Sequence, residues 1–231
     1  MSYILQISCT LQHYFPETVE NLKKLCVSAG INSPVNDSMT CCGMPYFDKG
    51  EFKTAKKVAE NYLAAIGEAD IITSSLKCEQ VMTVKYPKIF NNTVSHIQCM
   101  RIAGNTKGLK DIFSKAQLNN TNAATGEFYV MADCDAPATL QKEWLAVFKN
   151  AVFHYPSLEN TCCGAGYCLP ALNKDTAGKM SLTILNEAKE SGAHAILAFN
   201  DICMVQLQST ARKNNIDIPI VHIIDFFAKA L

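Results

Sequence analysis

Thr40-Cys41-Cys42-Gly43-Met44-Pro45-Tyr46 returns once along the chain, as Thr161-Cys162-Cys163-Gly164-Ala165-Gly166-Tyr167. Both copies read T-C-C-G-x-x-Y. Two neighbouring sulfurs can face one metal centre, and a glycine, lacking a Cβ, lets the backbone turn tightly beside them. Working outward, each pair is flanked by single cysteines, Cys9 and Cys78 in the first half, Cys134 and Cys203 in the second. The singles recur at a spacing of 125 residues and the pairs at 121. His96 and His222, each followed by Ile, lie 126 apart and extend the register. A repeat of this length points to a duplicated unit.

The 231 residues, 48% of them hydrophobic, suffice for one large domain or two small fused ones. Twenty-one basic residues balance 21 acidic ones, and arginine occurs only as Arg101 and Arg212. No basic stripe forms, which argues against nucleic acid as a partner. No apolar run approaches the ~20 residues of a membrane span, and Met1-Ser2-Tyr3-Ile4-Leu5 lacks the positive start of a signal peptide. A cytoplasmic protein is expected. Eleven cysteines then indicate metal binding or redox chemistry rather than a disulfide framework.

Apolar patterning places strands at 3–8, 70–73, 94–97, 127–132, 151–155, 194–199 and 220–224. Helices are expected at 16–29, 52–69, 108–118, 137–149 and 172–191, and from about Cys203 to Arg212. Strands alternating with helices of this length predict an α/β fold of two duplicated lobes, with mainly parallel sheets flanked by helices. Asn119-Asn120-Thr121-Asn122 is a polar linker, dividing the chain into 1–118 and 124–231. Most of the framed cysteines then follow the carboxyl ends of strands, where open α/β sheets collect ligands.

Four thiolates gathered at one point hold zinc or an iron–sulfur cluster. The candidate ligands are Cys9, Cys41, Cys42 and Cys78 for one centre and Cys134, Cys162, Cys163 and Cys203 for the other. The chain contains no C-x-x-C, so neither a zinc knuckle nor the bacterial ferredoxin pattern is present.

The order Cys, about thirty residues, Cys-Cys-Gly, about thirty-five residues, Cys resembles the cysteine-rich CCG domain. That domain occurs in tandem in heterodisulfide reductase B subunits, in glycolate oxidase iron–sulfur subunits and in the small lactate-utilisation proteins. Cys9-Thr10-Leu11-Gln12-His13-Tyr14-Phe15 and Cys41-Cys42-Gly43-Met44-Pro45 are similar to phrases of the last group. The resemblance implies an iron–sulfur, electron-carrying subunit of a lactate-oxidising complex, with a ferredoxin-like iron–sulfur protein and a third small subunit as partners. The fully equipped CCG domain ends in C-x-x-C. Here Val81 and Gln206 stand at the last position, leaving four thiols per half. Conventional [4Fe-4S] clusters, one per half, are therefore expected. A thiol–disulfide reductase of the heterodisulfide type and a zinc-stabilised scaffold are the alternatives.

The remaining residues read more plainly. Cys26 and Cys99 are packing residues, whereas Cys168, beside the second motif, is a spare ligand or a packing residue. His96 and His222 are core histidines in strands. Tyr46 and Tyr167 pack over the sites or bond a cluster sulfide. Asp133 and Asp135 are surface acids. Trp144 is core, and Lys53, Lys56 and Lys57 form a solvated helix face, or else a docking patch for an acidic partner.

Overall fold

The structure, a computed structural model, describes residues 3–32, 35, 40–134, 138–158 and 161–231, with the backbone alone at 138–140. The first strand, β1 (Tyr3–Gln6), is followed by two helices, α1 (Cys9–Tyr14) and α2 (Pro16–Ser28). Ser8 starts α1 by accepting a hydrogen bond from the Leu11 N–H at 3.1 Å, and Pro16 opens α2. Past the first cysteine pair come α3 (Met44–Asp48) and α4 (Phe52–Ile66), then β2 (Asp70–Thr73). The chain continues as α5 (Leu76–Gln80), a π-helical turn (Val81–Lys85), α6 (Tyr86–Ile89), α7 (His96–Asn105) and α8 (Leu109–Phe113). The second half has β3 (Gly126–Met131), α9 (Ala138–Leu145), β4 (Ala151–His154), α10 (Leu169–Leu172) and α11 (Lys174–Glu190). It closes with β5 (Ala195–Ala198), α12 (Asp201–Lys213), β6 (Ile220–His222) and α13 (Ile223–Ala228).

All strand pairs described are parallel, as expected of an α/β chain. The second-half sheet runs β4-β3-β5-β6, and β1 pairs with β2. The registers superpose. Leu5 faces Ile72 as Val130 faces Leu197, each member displaced by 125 residues. Among the described residues, the outer lanes of the first half are single bridges, Leu5 to Val35 and Ile72 to Lys107. Val35 stands where β4 stands in the second half, and Lys107 where β6 stands.

That correspondence corrects the histidine register. Val221 pairs with Leu197 in the lane where Lys107 pairs with Ile72, so the counterpart of His222 is Gly108, not His96. The expected strand at 94–97 is instead a turn leading into α7, which His96 begins, with Val94 and Ile97 exposed. His222 does end a strand and is buried. Its Nδ1 accepts from the Ile224 N–H at 3.2 Å and caps α13. Asp225 accepts from Thr18 Oγ1 (2.7 Å) and Asn21 Nδ2 (2.9 Å) on α2, in the other half.

One apolar core joins the halves. Leu5, Leu22 and Phe113 belong to the same buried cluster as Trp144, Phe199 and Phe227. Phe113 stacks on Phe227 at 3.9 Å, and Trp144 stands edge-on to Phe113 at 5.5 Å. Further cores lie under α4 in the first half and α11 in the second. Cys26 and Cys99 are buried in these cores, as expected. No helix among the described residues is long and apolar enough to cross a membrane.

Candidate metal centre: two sets of four thiols

The parallel lanes deliver the sulfurs. Cys9 begins α1 directly after β1, Cys41 and Cys42 follow the Val35 lane, and Cys78 lies in α5 after β2. Cys134, Cys162 with Cys163, and Cys203 follow β3, β4 and β5 in the same way. The expectation that Cys203 sits near a helix start is met, since it lies in the first turn of α12. All are free thiols.

Each set closes on itself. In the first, the Cys42 thiol donates to Cys41, Cys42 is coupled electrostatically to Cys78, Cys78 to Cys9, and Cys9 to Cys41. In the second, Cys134 and Cys163 donate to Cys162, Cys163 Sγ lies 2.7 Å from Cys203 Sγ, and Cys203 is coupled to Cys134. One sulfur of each pair is thereby made anionic. The Cys42 thiol and the Gly43 N–H, 3.4 Å from the sulfur, bring Cys41 down to about 6. The Cys134 and Cys163 thiols, with the Gly164 N–H at 3.4 Å, hold Cys162 far below the usual thiol range. Cys42 and Cys163 move the other way, because each donates to its neighbour and is desolvated.

The motif glycine has a double reason. Gly43 and Gly164 adopt left-handed φ values of 84° and 80°. A Cβ on Gly43 would lie 2.6 Å from the Ala55 carbonyl oxygen, and one on Gly164 2.8 Å from that of Ala177. The first turns of α4 and α11 thus press against the two motifs at matching places. The pair carbonyls are also held, though by different residues. Tyr86 Oη donates to the Cys42 carbonyl (2.7 Å) and Ser181 Oγ to the Cys163 carbonyl (2.7 Å).

The positions of the absent fifth cysteines are filled. Val81 is buried in the apolar core, while Gln206 Nε2 donates to Ser181 Oγ at 3.1 Å, behind the Cys163 carbonyl. Asp133 corrects the reading of a surface acid. It is buried, accepts from Asn200 Nδ2 at 2.6 Å and adds negative charge beside Cys134. Asp135 lies outside the described residues. Tyr46 sits in α3, whereas Tyr167, with Cys168, takes left-handed backbone angles. The Tyr167 ring meets the ammonium groups of Lys77 (5.1 Å) and Lys85 (5.6 Å) from the first half. The Cys168 thiol reaches across to the Pro45 carbonyl at 3.7 Å. Lys53 and Lys57 are exposed as expected, and Lys56 lies over the Phe90 ring.

Charges cross between the sets. Ser8 Oγ donates to the carboxylate of Asp201, which is buried in the second half and is felt by Cys9 and Cys78. Lys77, from the first half, acts on Cys162.

Tyr62 lies on the buried face of α4. It is 1% exposed and packs edge-on against Tyr86 at 6.2 Å. Its hydroxyl is coupled to Cys78, Cys42 and Cys9, and desolvation keeps it protonated. Its Oη has no hydrogen-bond partner among the described residues. Sequence reasoning missed it because a tyrosine at helical spacing is read as packing; an apolar stripe carrying one hydroxyl was the signal.

As the thiols stand, no three Cys, His, Asp or Glu side chains among the described residues are arranged around a single metal ion. In the second set the sulfurs lie directly against one another, so a bound group must part them. In each set four thiols, one of them predisposed to ionise and met by an N–H donor, with a buried hydroxyl beside the first set, fit a group that carries sulfur acceptors of its own.

The chain matches the cysteine-rich domain family CCG over residues 3–83 and 132–208. Among similar proteins are lactate utilization protein A of Macrococcus caseolyticus, 24% identical over 90% of this chain and 86% of its own, and lactate utilization protein A 2 of Bacillus cereus strain Q1, 20% identical over 100% and 99%. Lactate utilization protein A 1 of Bacillus anthracis strain CDC 684 is also 20% identical over the same shares.

Proposed function

Since the chain belongs to the cysteine-rich CCG family, with two copies of its domain, we propose that it is an iron–sulfur electron-transfer subunit of a lactate-utilisation complex in the cytoplasm. Residues 1–118 and 124–231 are taken as its two units. Cys9, Cys41, Cys42 and Cys78 would hold one [4Fe-4S] cluster, and Cys134, Cys162, Cys163 and Cys203 the other. What supports this reading is that both foursomes are delivered at the carboxyl ends of equivalent parallel lanes, with their thiols acting on one another. Full-length similarity to lactate utilization protein A supports the pathway.

Bound clusters would supply one-electron carriers. The chain's own residues would hold them by thiolate, shield them by packing and tune them by N–H donors and buried charge. Electrons would come from a lactate-oxidising subunit and leave to a ferredoxin-like iron–sulfur protein of the same complex. In the second set Cys163 and Cys203, 0% and 4% exposed, are out of reach of a substrate disulfide, whereas Cys9 of the first set is exposed.

The test is anaerobic purification with iron and acid-labile sulfide counted per chain. Cys42→Ser and Cys163→Ser should each halve both counts and the visible absorbance. Zinc without sulfide, or full retention in both variants, defeats the proposal.

A further inference from the structure

The two sulfur sets differ in one buried group. Ala55 and Ala177 occupy the same place, each against its motif glycine, so seven residues further along α4 and α11 stand Tyr62 and Ile184. Ile184 is buried and apolar. Tyr62 carries a hydroxyl into the equivalent position, where it is fully buried and unpartnered among the described residues. A buried hydroxyl without a partner is costly, and native proteins rarely leave one. The neighbouring donors are engaged elsewhere. The Tyr86 hydroxyl is committed to the Cys42 carbonyl. None of the surrounding sulfurs accepts from Tyr62, although it lies within the field of three of them. An acceptor carried by whatever the thiols hold would satisfy it.

We infer that Tyr62 Oη donates a hydrogen bond to a sulfur of the cluster bound by Cys9, Cys41, Cys42 and Cys78, and that Ile184 offers the second cluster no donor at the equivalent place. The inference rests on the proposed cluster binding and adds that the two clusters are chemically unequal. A lone zinc ion brings no sulfide of its own, leaving the ligating thiolates as the acceptors on offer. Donation to sulfur stabilises the electron-rich, reduced cluster, so Tyr62 is a positioning and tuning residue for one site only.

Tyr62→Phe tests this with two readouts. In the metal-free protein, removing the stranded hydroxyl raises the melting midpoint. In the anaerobically reconstituted protein that gain disappears, and in a redox titration followed by electron paramagnetic resonance one of two midpoints moves to more negative potential while the other stays. Repeating the titration in the Cys163→Ser background, where only the first cluster remains, shows the moving midpoint alone. The same stability gain in loaded and metal-free protein, with both potentials unchanged, overturns the inference while leaving cluster binding intact. Absence of iron and sulfide from the unmodified protein overturns both.

Discussion

Phe113 and Phe227 occupy equivalent places in α8 and α13, and their rings stack on each other at 3.9 Å with planes 13° apart. Equivalent residues meeting face to face mark a pseudo-twofold axis between the halves, as in an isologous dimer interface. Phe113→Ala and Phe227→Ala should each cost about 3–5 kcal/mol, typical of emptying a buried aromatic site. Both variants should still unfold in one transition in chemical denaturation followed by circular dichroism. A separate early transition of one half would show that the stack does not couple them.

Gly43 gives a sharper contrast. Gly43→Ala places a Cβ in a left-handed backbone and against the Ala55 carbonyl, a combined penalty of about 2–4 kcal/mol. Gly30→Ala, also left-handed but with nothing within 4 Å, should lose only about 1 kcal/mol. Urea midpoints of the two variants decide the point. Equal losses would remove the close approach of α4 as the reason for the motif glycine.

Ser8 holds two elements at once. Its hydroxyl accepts from the Leu11 N–H at the start of α1 and donates to Asp201 across the seam. Ser8→Ala removes a helix cap and leaves a buried carboxylate one donor short, a loss of about 1–3 kcal/mol. Ser8→Thr should recover most of it. Failure of threonine to recover would place the effect in packing.

Glu187 provides a pH signature away from the sulfurs. It accepts from Tyr129 Oη at 2.6 Å and Ser157 Oγ at 3.0 Å, and these donors, Tyr129 foremost, lower its carboxyl below the ordinary value of 4.5. A depressed acid stabilises the folded state above its unfolded pKa, and the contribution fades as pH falls through the folded value. Glu187 is open to solvent, so Glu187→Gln should cost only about 0.5 kcal/mol at pH 7, roughly 1–2 °C. That difference should vanish near pH 3 in thermal melts. A difference that persists in acid would exclude the carboxylate as its source.

The alternation of apolar runs showed the parallel α/β plan, and the doubled cysteine spacing showed which sulfurs belong together. What it missed depended on tertiary competition. Val94 to Ile97 carries strand-like residues, yet the lane beside β2 is taken by Lys107, and the segment becomes a turn and helix start. Asp133 was read as a surface acid because its burial depends on Asn200, far along the chain, as well as on Gln141 nearby. The helix beginning at Cys9 was hidden in a stretch with weak propensity, although Ser8 was a readable cap. Tyr62 could not be singled out until Cys78 and Cys42 were seen around it.

Gln206 stands where the fully equipped pattern would put a fifth thiol, and its amide braces Ser181 behind the Cys163 carbonyl. Placing cysteine there would add a sulfur while withdrawing that brace. An engineer seeking a fifth ligand must therefore rebuild the wall around Ser181 as well.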